Sequence, residues 1–298
     1  MTDLDGHGAF PTAGEDARAS QQVEETPQTR SPSFRLAFAD RDFLLRDELR
    51  PVRLQLELLK PEVLLREESI VSTVVVFGSA RIPDPDTARA ELDQAEVAAA
   101  ADPADPGRAR RLETARRELE RSKYYDLARD FARLISTAGQ RPNERRYVVV
   151  TGGGPGIMEA ANRGAADVGA ESIGLSIVLP HEQRPNAYIT PKLSFQFHYF
   201  AIRKMHFLMR ACALACFPGG FGTLDELFET LTLIQTGKIE PIPVLLFGEA
   251  YWRRIIDFEA LVDEGAIAAE DLNIFRYVET PEEAWRIIAD FNDGRPAG

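Results

Sequence analysis

The chain has 298 residues and a formal net charge of −12, which argues against a general nucleic-acid binder, since such proteins usually have a basic face. With 44% hydrophobic and 28% charged residues, the composition is that of a globular protein, and no apolar run approaches the roughly 20 residues of a membrane helix. The polar N-terminus shows no secretory signal, and two cysteines, Cys212 and Cys216, provide no disulfide framework. We therefore expect a cytoplasmic protein that binds neither nucleic acid nor membranes.

The N-terminal part of the chain is predicted to lie outside the main domain. Residues 1–35 are rich in small and polar residues, and we expect them to be disordered. Residues 36–69 carry apolar residues at roughly helical spacing and predict one or two helices that pack on the core, with boundaries at Pro51 and Pro61. The remaining residues, 70–298, form the predicted main domain.

Strands and helices alternate through the main domain. Apolar and β-branched runs predict strands at 70–77, 146–151, 171–178, 193–199, 211–217, 242–247 and 275–279. The segments between them predict helices at 124–136, 157–168, 200–210, 223–235, 250–263 and 280–290. Such alternation implies parallel strands and right-handed crossovers, hence an α/β fold with a Rossmann-like, doubly wound sheet and helices on both faces. Residues 84–122 predict a charged helical hairpin inserted after the first strand.

Three glycine turns follow predicted strands, at Gly78-Ser79, at Gly152 to Gly156 and at Gly219 to Gly222. Ligands of such sheets bind at the carboxyl ends of the strands. Backbone N–H groups and the helix dipole at these ends attract an anion such as phosphate. The spacing of Gly152, Gly154 and Gly156 does not fit a dinucleotide fingerprint, so we expect a mononucleotide or phosphate rather than NAD.

Arg203 and Glu226 are the residues that could carry chemistry at these turns. An arginine beside a glutamate keeps the carboxylate ionised and oriented, and such a carboxylate can activate water or stabilise positive charge on a sugar. Two alternatives remain open. Thr223 and Glu226 also fit a capping box, in which the glutamate only closes a helix end. Arg203 also fits a surface cation on an amphipathic helix.

Taken together, these motifs resemble the lonely-guy family of nucleoside 5′-monophosphate phosphoribohydrolases, which activate cytokinins and are also labelled lysine decarboxylases. The segment Pro218 to Glu226 matches the family motif P-G-G-x-G-T-x-x-E, and Arg203-Lys204 resembles its upstream Arg-Lys pair. The turns at 77–79 and 152–158 resemble the family's other two turns. The resemblance covers about residues 70–250, and the N-terminal segment and the insertion are similar to those of a longer bacterial class.

The resemblance implies a hydrolase that cleaves the N-glycosidic bond of cytokinin riboside monophosphate or AMP, with Arg203 and Glu226 as the catalytic pair. It implies an oxocarbenium-like transition state, no cofactor and no metal, and at least a homodimer. The substrate and its phosphate would be bound by a larger set of residues, in which Lys204 would neutralise phosphate or support the helix end. That set comprises Gly78, Ser79, Gly152, Gly153, Gly154, Gly156, Ile157, Met158, Glu182, Lys204, Gly219, Gly220, Phe221, Gly222, Thr223 and Thr232.

Two other functions remain open at this point. A non-catalytic carrier of the same fold, binding a nucleotide or molybdenum cofactor, would need the glycines but not Glu226. A lysine decarboxylase usually needs pyridoxal phosphate on a lysine, and none of the five lysines stands in a recognisable cofactor context. The four histidines, His7, His181, His198 and His206, show no metal-ligand spacing.

Overall fold

The structure of the protein is a computed structural model, which describes residues 10–141, 143–180 and 184–293. The chain divides into two compact units, with the boundary between Leu59 and Lys60. None of the helices in the described part of the chain is both long and apolar enough to cross a membrane.

The first unit consists of short helices. Helix α1 spans Ala13–Ala19, α2 spans Arg41–Leu44, and α3 begins at Arg50 and continues to Glu67, past the boundary. Residues 1–9 of the segment expected to be disordered lie outside the described residues. In residues 10–35 no side chain is fully buried, and the disorder of residues 1–35 stays a prediction.

A parallel sheet of seven strands forms the centre of the second unit and confirms the predicted α/β fold. The strands of this chain are β1 Thr73–Phe77, β2 Gln140–Arg141, β3 Glu144–Arg145, β4 Val148–Thr151, β5 Ser172–Ile177, β6 Ser194–Phe197, β7 Ala211–Cys216, β8 Val244–Phe247 and β9 Phe275–Val278. Strands β2 and β3 form a separate antiparallel pair, and the main sheet has the order β6-β5-β4-β1-β7-β8-β9. The strand order therefore reverses between β1 and β7, where ligands of such sheets bind.

Helices cover both faces of the sheet, which is why its central strands consist mostly of buried apolar residues. The helices of the second unit, after α3, are α4 Pro85–Ala101, α5 Pro106–Gly139, α6 Ile157–Ala166, α7 Phe200–Leu208, α8 Phe221–Gln235, α9 Glu249–Ile255, α10 Phe258–Asp263 and α11 Pro281–Asp293. One core contains side chains of α5, α6 and α11, and the core on the other face contains side chains of α7, α8, α9 and α10. Strands β1 and β7 contribute buried side chains to both cores, so they are packed on both faces.

The helical insertion differs from its prediction as a self-contained hairpin followed by a separate helix at 124–136. Its second helix, α5, runs without a break for 34 residues and becomes the helix that packs on the sheet. The chain turns between α4 and α5, where Asp105 caps the N–H groups of Gly107 and Arg108. From Arg108 to Ala138 the sequence contains neither proline nor glycine, so nothing in it stops the helix.

Candidate active site

Three turns meet at the carboxyl ends of β1, β4 and β7, beside the reversal in strand order. The backbone N–H of Ser79 donates to the carbonyl oxygen of Pro218 (N to O, 3.0 Å), and the N–H of Ile157 donates to the carbonyl oxygen of Ser79 (3.1 Å). The turn after β1 therefore links the other two turns. The structure brings together the three glycine turns that the sequence placed at strand ends.

At two positions of these turns a side chain would overlap neighbouring atoms, which requires glycine. Gly156 has a φ of 69°, and a Cβ atom there would overlap the carbonyl oxygen of Ser79. A Cβ atom on Gly219 would overlap the hydroxyl oxygen of Thr223. A side chain at Gly156 would force the turns after β1 and β4 apart, and one at Gly219 would displace Thr223 in the first turn of α8.

A buried polar network holds the turn between β4 and α6. The hydroxyl oxygen of Thr151 accepts from the N–H of Gly153 (3.0 Å) and donates to the side-chain oxygen of Asn162 (2.8 Å). The side-chain amide of Asn186 donates to the same oxygen of Asn162 (2.9 Å) and to the carbonyl oxygen of Gly154 (3.1 Å). These bonds fix the turn before any ligand binds. Sequence reasoning missed Asn162 and Asn186, because no local pattern distinguishes them from other polar residues.

Helix α8 begins at Phe221 and not at Thr223. Gly220 is its N-cap and has no side chain to offer, so no side chain in the described part of the chain caps the N–H groups of the first turn. Thr223 is the third residue of the helix and Glu226 the sixth, so the capping-box interpretation is wrong. The uncapped helix start, with its partial positive charge, is the kind of end that binds phosphate.

Glu226 is buried, with 4% of its surface exposed. Among the described residues, no group donates a hydrogen bond to its carboxylate. Burial raises the pKa of Glu226 to about 7; Lys204 and Arg203 act to lower it, whereas Glu229 and Asp225 act to raise it. A buried carboxylate that titrates near neutrality and plays no part in the fold is typical of a functional group.

Arg203 lies on α7 with its guanidinium carbon 4.8 Å from the ring centre of Phe200 and 5.7 Å from that of Phe207. Its Nε atom is buried and has no hydrogen-bond partner among the described residues. Burial lowers the pKa of Arg203, and the charges of Glu226 and Asp225 act to raise it. Arg203 therefore does not fit a solvated surface cation. In the described chain its guanidinium makes no ion pair with Glu226 within 4.0 Å, so the two charges attract each other over a longer distance.

Lys204, the next residue of α7, forms ion pairs with two carboxylates. Its Nζ atom lies 3.0 Å from Oδ2 of Asp225 and 2.8 Å from Oε2 of Glu229. Burial acts to lower the pKa of Lys204, but the hydrogen bonds to Glu229 and Asp225 outweigh it and the pKa is raised. These contacts favour a supporting role over the predicted contact with phosphate.

The remaining predicted residues fall into two groups. Gly78, Ser79 and Met158 lie on the joined turns: a Cβ atom on Gly78 would meet the side chain of Ile157, and the sulfur of Met158 lies against Gly152. By contrast, Thr232 lies in α8, six residues past Glu226 and about 9 Å further along the helix. Its side chain is exposed and its hydroxyl donates to the carbonyl oxygen of Phe228, so the structure does not bring Thr232 to the turns.

Two further observations complete the site. Glu182, predicted from the loop after β5, lies outside the described residues. Tyr251 of α9, which the sequence did not single out, donates a hydrogen bond from its hydroxyl to the carbonyl oxygen of Gly219 (2.6 Å). No signal near Tyr251 in the sequence indicates this contact, because 32 residues separate the two partners.

Comparisons with known proteins show which proteins this chain is similar to. A protein-family model described as "Possible lysine decarboxylase" matches residues 158–288. The rice protein (Oryza sativa subsp. japonica) named "Probable cytokinin riboside 5′-monophosphate phosphoribohydrolase LOG4" is 33% identical over 150 residues, which are 49% of this chain and 64% of that protein. The Arabidopsis thaliana protein named "Cytokinin riboside 5′-monophosphate phosphoribohydrolase LOG7" is 33% identical over 153 residues, which are 50% of this chain and 69% of that protein.

The chain thus spans slightly less than two thirds of the rice protein's length. Among solved structures, that of the Moco carrier protein from Chlamydomonas reinhardtii covers 75% of this chain and 99% of its own, with 18% sequence identity and a TM-score of 0.43. A match at that TM-score supports no argument about function.

Proposed function

The chain belongs to the lonely-guy family, and from this premise we propose that it hydrolyses the N-glycosidic bond of a nucleoside 5′-monophosphate. The products would be the free base and ribose 5-phosphate. The names of the rice and Arabidopsis relatives support a cytokinin riboside monophosphate as substrate, and AMP is the simplest nucleotide of the same kind. The site residues are likewise a proposal, with Arg203 and Glu226 as the catalytic pair.

One observation carries this proposal: a buried, structurally unused carboxylate lies in the helix whose uncapped start follows the glycine turn. Glu226 is five residues past the first residue of α8, about one and a half turns along the helix. A 5′-phosphate bound at the uncapped N–H groups would therefore bring the ribose of the same nucleotide near the carboxylate. The phosphate would then bind at the start of α8, and the glycosidic bond would be cleaved beside Glu226 of the same helix.

In the proposed reaction, the bond between C1′ of the ribose and the base nitrogen breaks, and its electron pair leaves with the base. Positive charge develops on the ribose, and the ionised Glu226 stabilises it. A water molecule attacks C1′ and loses a proton, for which Glu226 is the nearest acceptor; the departing base takes up one proton. Arg203, whose guanidinium lies near the rings of Phe200 and Phe207, favours the charged form of Glu226 and would orient the nucleotide.

Two alternatives receive less support. A carrier would gain nothing from burying Glu226, because an unpaired buried carboxylate costs stability. A lysine decarboxylase would need a lysine whose pKa is lowered so that its amine can form a Schiff base. In the described part of the site the lysine is Lys204, whose pKa is instead raised by Asp225 and Glu229. The residues present therefore do not fit pyridoxal phosphate.

The proposal includes assembly into at least a homodimer. Large apolar side chains are exposed on α7, at its C-terminal end and on α8, the two helices that carry Arg203 and Glu226. They are Phe200, Met205, Met209, Phe221 and Phe228. An exposed apolar patch of this kind supports a protein–protein contact. The expected cytoplasmic location, and the absence of nucleic-acid, membrane, metal and cofactor partners, stay predictions.

The proposal is tested by incubating the protein with AMP and with isopentenyladenosine monophosphate and measuring free base and ribose 5-phosphate by chromatography. Equal amounts of the two products are expected. The variant Glu226→Gln should lower kcat/KM by about 1,000-fold, whereas Glu240→Gln, the same change at an exposed position, should leave it unchanged. Absence of base release by the unmodified protein would contradict the proposal, and stabilisation by AMP without turnover would favour the carrier.

A further inference from the structure

We propose that Lys204 is a positioning residue, which bridges Asp225 and Glu229 on either side of Glu226 in the chain, and that it is not a ligand of the substrate's phosphate. This inference deepens the proposed function and rests on it for the role of Glu226. The contacts that support the inference are properties of the folded protein alone.

The first support is the geometry of three carboxylates on α8. Asp225 and Glu229 are four residues apart and therefore neighbours on the helix surface, where like charges repel. Lys204 bridges them, with N to O distances of 3.0 Å and 2.8 Å. Glu226 follows Asp225 directly and precedes Glu229 by three residues, so it belongs to the same acidic cluster. The positive charge of Lys204 offsets part of the repulsion between these carboxylates.

The second support is that Lys204 is poorly placed to serve a phosphate. Its side chain is only 17% exposed, and its ammonium group already forms ion pairs with Asp225 and Glu229. A shift towards a phosphate would break at least one of these contacts. Glu229, with a side chain 33% exposed, would then lose the partner of a partly buried charge, which is costly.

The third support is the charge balance around Glu226. Among the described residues, the charged groups that act on it are Arg203 and Lys204 from α7 and Asp225 and Glu229 from its own helix. In this part of the chain two cations therefore face three carboxylates. The thiol of Cys216, at the end of β7, stays neutral because burial and Glu226 both raise its pKa. A bound phosphate would add further negative charge. Without Lys204, Arg203 would be the one cation of this group left to keep Glu226 ionised.

The inference is testable because Lys204 and Glu229 act on the pKa of Glu226 in opposite directions. Lys204 lowers the pKa of Glu226, and Glu229 raises it. Loss of the cation should therefore raise this pKa, and loss of the Glu229 charge should lower it, because Asp225 still holds Lys204. A purely structural contact would not produce two shifts of opposite sign.

The test measures the pKa of Glu226 by NMR in protein labelled with ¹³C at the glutamate carboxyl, the resonance being assigned by its loss in Glu226→Gln. Lys204→Met should raise the pKa by about one pH unit, and Glu229→Gln should lower it. Lys204→Arg, which keeps the charge, should restore the value of the unmodified protein. Lys238→Met is the matched control, because Lys238 is exposed beyond the end of α8.

The acid limb of the pH profile of kcat/KM for AMP should move with the measured pKa. An unchanged pKa in folded Lys204→Met would overturn the inference, as would a rise in KM for AMP with no shift of the pH profile, which would indicate a phosphate ligand. Should Lys204→Met fail to fold, Glu229→Gln and Lys204→Arg decide: a downward shift in the first and none in the second support the inference, and any other pattern overturns it. Because the NMR titration needs no turnover, failure of the proposed function and failure of this inference give different results.

Discussion

The hydroxyl oxygen of Tyr251 lies 2.6 Å from the carbonyl oxygen of Gly219 and donates a hydrogen bond to it. Tyr251 lies in α9, which follows α8 and β8 in the chain. Its hydrogen bond restrains the turn from which α8 starts. The position of the uncapped N–H groups therefore depends on a residue outside the recognised motif.

We expect Tyr251→Phe to loosen this turn without unfolding the protein. A hydrogen bond of this kind contributes about 1 kcal/mol, so KM for AMP should rise about fivefold if the turn binds phosphate. Steady-state kinetics and thermal melting would measure the two effects. The control Tyr277→Phe removes a hydroxyl from β9 instead, and an equal rise in KM in that variant would contradict the assignment.

A second prediction concerns the contact between the turns after β1 and β4. Gly156 and Gly169 both have a positive φ, but a Cβ atom would overlap Ser79 at Gly156 and meets nothing within 4 Å at Gly169. Gly169→Ala should therefore cost only the strain of the left-handed backbone, about 1–2 kcal/mol. Gly156→Ala should cost more and should also abolish AMP binding.

Unfolding by denaturant and calorimetric titration with AMP would separate these effects. Equal losses of stability in Gly156→Ala and Gly169→Ala, with AMP binding intact in both, would show that the two turns can move apart without consequence.

A third prediction concerns the stability cost of Glu226. Burial raises its pKa to about 7 from the ordinary 4.5. Between these values the folded protein holds a proton that the unfolded chain has released, so stability falls as the pH rises from 4.5 to 7. Glu226→Gln removes this loss and should be more stable than the unmodified protein by about 1–3 kcal/mol at pH 8.

Below pH 4.5 this linkage contribution should vanish, because the carboxyl is then protonated in both states. Urea unfolding of the two proteins at pH 4 and pH 8 would measure the difference. A stability gain that is the same at both pH values would rule out the carboxyl as its cause. An inactive but more stable variant would match the general trade-off between function and stability.

A fourth prediction concerns the aromatic setting of Arg203. Its planar guanidinium lies near the rings of Phe200 and Phe207, and lysine cannot reproduce this stacking. Arg203→Lys should therefore keep the charge but lower kcat/KM for AMP about tenfold. Arg276→Lys, on the exposed side of β9, serves as the control, and full activity of Arg203→Lys would show that charge alone suffices.

Much of the fold could be predicted because it follows from local patterns. The β-branched run that contains β1 and the glycines after β1, β4 and β7 mark strand ends directly in the sequence. The boundaries of some elements differ from the prediction. The predicted break between 122 and 124 is absent, and α5 continues through Pro106–Gly139 as one helix, because no residue between Arg108 and Ala138 breaks it. The start of α8 was misplaced because Thr223 and Glu226 have the spacing of a capping box, and only the position of the glycine turn shows that the helix begins earlier.

Local sequence patterns suffice for the parallel α/β fold, for the three glycine turns and for Arg203 and Glu226 as candidates, because strand patterns, turn residues and motif spacing are local. The folded chain adds that Glu226 is buried and does not cap α8, that Lys204 pairs with Asp225 and Glu229, and that Tyr251 and Asn162 bond to the turns. These outcomes depend on distances between segments far apart in the chain and on the water excluded around them. Both arise only when the helices close over the sheet.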